Sequence, residues 1–179
     1  MKRLIMCEGP NELAVINILL ENDAFVFNED ELLGLTPYHA RQIAANAQVR
    51  NELDMYQGSD VLVMRVGDTQ NDKLKIPKEY CGKIQSVEKY CTKPELEILL
   101  IISEGLMDEF EKTKSTLRPK DFAKANIRIG KRRYNNSSQF YKDYYENECD
   151  KLKSAILEYY RLKKRAHEKD ELYLADLLK

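Results

Sequence analysis

No apolar run in this chain of 179 residues approaches the roughly 20 residues a helix needs to cross a bilayer; the longest lie around residues 16–20 and 98–102. Met1-Lys2-Arg3 runs straight into a short apolar segment and an acid, without a leader pattern, so a soluble, cytoplasmic protein with no membrane partner is expected. Cysteine is sparse and unpaired in spacing, at positions 7, 81, 91 and 149, and there are two histidines, His39 and His167. Neither a disulfide framework nor a zinc site is indicated, and Cys7 reads as a small buried residue. Also missing are the glycine-rich turn of a dinucleotide-binding strand and any Gly-x-Ser-x-Gly elbow, which removes nicotinamide and serine-hydrolase chemistry.

Net charge is nearly absent, at −1, but it is unevenly distributed. Residues 1–111 carry 11 Lys+Arg against 20 Asp+Glu (11 − 20 = −9), whereas residues 112–169 carry 17 against 7 (17 − 7 = +10). An acidic part beside a basic part suits a protein that attracts divalent cations to one surface and polyanion backbone to another. A length of 179 residues with 43% hydrophobic side chains supports one core. The division expected is an α/β core over 1–111 and a basic helical extension over 112–179 packed on it.

What is present is organised around Leu4-Ile5-Met6-Cys7-Glu8-Gly9-Pro10-Asn11-Glu12. Four consecutive apolar residues bounded by Gly-Pro read as a buried parallel strand, which places Glu8 at its carboxyl end. In an open α/β sheet that edge faces the ligand crevice, where an acid is costly to desolvate unless a cation or donor receives it. Glu8 is therefore read as a functional group. A helix over 11–22 follows, then a strand over 24–27 and a helix from 36 or 37 to 55. Val61-Leu62-Val63-Met64-Arg65-Val66 is the clearest interior strand, closed by Gly67-Asp68 and a polar turn over 69–74. If it runs parallel beside the first strand, Asp68 or Asp72 emerges next to Glu8, within reach of a shared hard cation.

A further strand is read over 84–91, nearer an edge. The helix after it is capped by Thr92, with Pro94 in its first turn and an apolar face reaching Phe110. Its first turn brings Glu95 and Glu97 to the same sheet edge. Beyond residue 111 come a short helix around 121–125 and the basic run Arg128-Ile129-Gly130-Lys131-Arg132-Arg133. A long helix over 138–166 carries Tyr141, Tyr145 and Tyr159 on its packed stripe, and the tail over 172–178 forms a final short helix. Arg128, Lys131, Arg132 and Arg133, with Lys163, Lys164 and Arg165, are the candidates for contact with a nucleic-acid backbone.

The Glu-Gly ending of strand one, the acid four residues after Glu8 and an acidic loop after a buried strand resemble the Toprim domain. Thr92-Lys93-Pro94-Glu95-Leu96-Glu97 is similar to a helix start in standalone Toprim-like proteins of bacterial phage defence, including relatives of the OLD nucleases. The resemblance covers roughly residues 1–111. It implies a Rossmann-like, mostly parallel sheet flanked by helices and Mg2+- or Mn2+-dependent cleavage of DNA or RNA. Glu8 and Glu12 would be catalytic, and Glu8, Asp68, Asp72, Glu97 and Glu95 would bind metal. The chain departs from the Asp-x-Asp of that family, since Asp68-Thr69-Gln70 has one acid and Asp72 lies four residues on. The rival expectation is a weak or inactive nucleic-acid-binding or regulatory subunit that works with a partner ATPase or as a homo-oligomer.

Overall fold

A computed structural model describes residues 1–68 and 72–179. The turn read over 69–74 falls partly on Thr69, Gln70 and Asn71, outside the described residues. Strand β1 (Lys2–Cys7) leads through Gly9 into α1 (Pro10–Glu21), where Pro10 occupies the first turn and needs no backbone donor. A two-residue strand, β2 (Tyr38–His39), comes next, then α2 (Ala47–Met55), whose cap Asn46 accepts from Val49 N at 3.0 Å. β3 (Val61–Gly67) and β4 (Ile84–Cys91) follow. Then come α3 (Ile98–Ser103), α4 (Met107–Thr113) and α5 (Pro119–Asn126). A hairpin of β5 (Arg128–Ile129) and β6 (Arg132–Arg133) precedes α6 (Ser138–Tyr144), α7 (Cys149–Lys163) and β7 (Glu171–Leu172).

The chain is an α/β fold with a five-stranded parallel sheet in the order β2-β1-β3-β4-β7, flanked by helices. Burial on both faces explains the unbroken apolar runs of β1 and β3. Ile5, Cys7, Leu62, Met64 and Val66 face the thick layer built by α1 and α3 to α7. Leu4, Met6, Val61 and Val63 face α2. Leu152 and Ile156 of α7 share the first cluster, and β7 pairs with β4, so the C-terminal part supplies a strand as well as helices. Among the described residues no helix is long and apolar enough to cross a membrane.

Several elements differ from the sequence reading. Residues 24–27 form one isolated bridge, Phe25 to Leu178, rather than a strand. The helix expected from 36 or 37 begins only at Ala47, because Tyr38 and His39 pair with Met6 and Cys7. The apolar face through Phe110 is two helices separated at Gly105, whose φ of +69° stops α3, and that helix starts at Ile98 rather than near Pro94. The long helix over 138–166 is likewise broken, with Asn147 left-handed at φ +58° between α6 and α7. The apolar stripe continues across that break, so periodicity alone could not reveal it. The tail gives β7 and a single helical turn, Leu174–Leu177.

Candidate functional site

From β1 the chain crosses to β2 on one side, whereas β3 lies on the other, so the carboxyl ends of β1 and β3 flank the point where the sheet's winding reverses. Ligands of open α/β sheets gather at such a point. Glu8 follows β1 there and Asp68 follows β3. A cavity of about 210 Å3 opens between them, lined also by Gly9, Glu12, Arg41, Glu97, Lys120 and Asn136.

Glu8 is held by its backbone, with Glu8 N donating to Val66 O at 2.8 Å. Arg41 reaches it from beyond β2, with Nη2 3.2 Å from Glu8 Oε1 and Nε donating to Glu8 O at 3.3 Å. The other carboxylate oxygen, Oε2, is buried and has no hydrogen-bond partner among the described residues. Burial raises the Glu8 pKa against the opposing charge of Arg41, and Asp68 and Asp72 raise it further. Gly67 makes this placement feasible, because a Cβ there would lie 2.3 Å from Oε2 and 2.9 Å from Glu8 Cβ.

Glu12 lies in the first turn of α1 with its carboxylate folded over Gly9, where a Cβ would come 2.6 Å from Oε2. Burial, with repulsion from Asp68, Glu8 and Glu97, pushes its pKa up to about 7. Glu97, only 3% exposed, accepts a hydrogen bond from Tyr134 at 2.6 Å. Desolvation raises its pKa although that bond opposes the shift.

Two of the carboxylates read as metal ligands are engaged elsewhere. Arg65, in the middle of β3, is 5% exposed, and a buried guanidinium requires a carboxylate partner. It donates to Asp72 O at 2.7 Å and Oδ1 at 3.0 Å, while Gln42 donates to Asp72 Oδ2 at 3.1 Å. Burial opposes these bonds, yet they hold the Asp72 carboxyl below the usual carboxylate range. Glu95 accepts from Lys120 N at 2.9 Å and caps the start of α5. The cavity therefore gathers Glu8, Glu12, Asp68 and Glu97, without Asp72 and Glu95. Among the described residues no three His, Cys, Asp or Glu side chains are arranged as a ready metal cage.

The basic residues fall into two places. Arg128, Lys131 and Arg133 are exposed on the hairpin and make no ion pair among the described residues, whereas Arg132 pairs with Asp143 at 2.5 Å. The hairpin abuts the cavity, since β6 runs directly into Tyr134 and Asn136. Lys163, Lys164 and Arg165 lie at the end of α7 and do not line the cavity. There Lys163 meets Glu111 at 3.4 Å and Lys164 lies over Tyr160. Tyr141 and Tyr145 are buried, as their helical spacing suggests.

Sequence reasoning missed Arg41, Lys120 and Asn136, which line the cavity, and Tyr134, which is buried behind it on Glu97. Arg41 follows a strand of two residues, too short to leave a periodic signal, and the other three reach the site from sequence-distant elements. No protein-family model, no curated protein and no solved structure matches the chain.

Proposed function

We propose that the chain is a metal-dependent phosphodiesterase acting on nucleic acid, of the Toprim type, with Glu8 at its centre. The observation that carries this reading is Glu8 Oε2, a buried carboxylate oxygen with no hydrogen-bond partner among the described residues, at the switch point of a parallel sheet and beside Asp68 and Glu12. Such an oxygen is costly to desolvate and calls for a cation. The donor set is all hard oxygen, which matches Mg2+ or Mn2+. Magnesium keeps several waters and takes one or two protein carboxylates plus substrate phosphate, so the lack of a three-carboxylate cage among the described residues fits it. Bound between Glu8 and Asp68, such an ion would neutralise charge on the phosphoryl oxygens and acidify a water.

Around that ion the chain's own groups divide the work. Glu8 and Asp68 would supply ligand oxygens. Glu12, buried in the same cavity and raised in pKa chiefly by that burial, would pass a proton to the leaving oxygen. Glu97 is locked by Tyr134 and sets the far wall. The exposed hairpin cations Arg128, Lys131 and Arg133 track the backbone without reading sequence.

A second reading, a non-catalytic nucleic-acid-binding subunit that serves a partner ATPase, is favoured by the engagement of Asp72 with Arg65. Incubating labelled single- and double-stranded DNA and RNA with Mg2+ or Mn2+ and wild type or Glu8→Ala separates the two. Cleavage by wild type that is lost in Glu8→Ala supports the enzyme. Binding without cleavage by either protein supports the subunit.

A further inference from the structure

Arg41 presents a chemical puzzle, because it pairs with the same glutamate that the metal reading requires. Its side chain is 65% exposed, and an ion pair so open to water contributes little to stability. The contacts to Glu8 use Nε and one N–H of Nη2, leaving three of the five guanidinium donors for other acceptors. The sheet fixes its position: Cys7 is in register with His39, and Ala40 N donates to Cys7 O at 3.0 Å, so the residue after Ala40 emerges beside the residue after Cys7. Lys120, at the start of α5, lines the same cavity and makes no ion pair among the described residues. Carboxylates and two cations thus border one cavity of about 210 Å3, a charge pattern that fits an anion delivered together with a cation.

We infer that Arg41 is a ligand of the substrate phosphate, held on Glu8 Oε1 until a divalent ion on the neighbouring Oε2 neutralises that carboxylate and weakens its hold, and that Lys120 is its counterpart on α5. The inference rests on the proposed phosphodiesterase reading and names the group that site must grip. A guanidinium matches a phosphate with two parallel N–H donors, which a lysine ammonium cannot reproduce. A guanidinium released from Glu8 in this way would bind the phosphate, and an ion held by Glu8 and Asp68 would draw that phosphate toward the same cavity.

The signature is an opposite change in two affinities. In Arg41→Ala, Mn2+ binding by the protein alone, measured by calorimetric titration, is expected to tighten about two- to fivefold, because a competitor for Glu8 is gone. Binding of a fluorescent single-stranded oligonucleotide, measured with Ca2+ in place of Mn2+ to hold off cleavage, weakens, its log–log salt slope falling by about 1. Turnover with Mn2+ falls about a hundredfold. Arg41→Lys keeps the salt slope and recovers only part of the turnover. Unchanged Mn2+ affinity and unchanged salt slope in Arg41→Ala, with wild type binding Mn2+, would overturn the role of Arg41 and leave the phosphodiesterase reading in place. Loss of the slope in Arg41→Ala, with no Mn2+ binding by wild type, would overturn the metal reading and leave Arg41 as a phosphate ligand.

Discussion

Gly67→Ala tests the geometry of the site through a single added methyl group. Gly67 ends β3, is in register with Cys91 and accepts from Thr92 N at 3.1 Å, so its backbone is an ordinary strand that alanine can adopt. The added Cβ would meet Glu8 Oε2 at 2.3 Å, Cδ at 3.3 Å and Cβ at 2.9 Å. Normal contact requires roughly 3.5 Å or more, so the carboxylate must move by about 1 Å. The Glu8 backbone is pinned by its bond to Val66 O and cannot follow freely. Crowding of this kind costs about 1–3 kcal/mol, and a displacement of about 1 Å in a reacting group costs about a hundredfold in rate. Gly82→Ala is the control, since a Cβ there meets nothing within 4 Å. Thermal unfolding, Mn2+ titration and cleavage measured on both variants should show a folded Gly67→Ala with weakened Mn2+ binding and turnover down about a hundredfold. Mn2+ affinity and turnover equal to those of Gly82→Ala would refute the placement of Glu8.

Other outcomes follow from the same cavity. The Glu12 pKa is raised above its ordinary 4.5 to about 7, so the fold binds the proton more tightly than the unfolded chain does. Stability therefore declines as pH rises from about 4.5 to 7, by on the order of 2 kcal/mol after allowance for partial exposure, and denaturant midpoints for Glu12→Gln should show a smaller decline. Tyr134→Phe strips Glu97 of its hydrogen bond and is expected to cost about 1–3 kcal/mol in urea unfolding; a variant as stable as wild type would show that water replaces the hydroxyl at no cost. Neutralising Lys131, Arg132 and Arg133 together should flatten the salt dependence of oligonucleotide binding by up to about 3 in slope, and less if the Arg132–Asp143 pair persists in the complex. A salt dependence that does not change would remove the hairpin from the nucleic-acid surface.

The legible part of the fold is the part buried on both faces. β1 and β3 are continuous apolar runs, and each ends where the chain must leave the sheet, so Glu8 and Asp68 could be placed from sequence alone. β2 and β7 contain two residues each and rely on neighbours for their hydrogen bonds, which leaves no local pattern. The breaks at Gly105 and Asn147 were hidden because apolar spacing continues past them. At the site, Asp72 and Glu95 looked equivalent to Asp68 and Glu97 because spacing shows which acids reach an edge but not what they meet there. Asp72 meets the buried Arg65, and Glu95 meets the amino end of α5. Arg65 itself sat within the apolar strand run as the one charged residue, a signal that a partner carboxylate had to be found for it.

Anomalous diffraction from a crystal soaked in Mn2+ tests the central claim most directly. The expected result is a peak roughly 2 Å from Glu8 Oε2 and from an Asp68 carboxylate oxygen. A density map with no peak between Glu8 and Asp68 at saturating Mn2+ would contradict it.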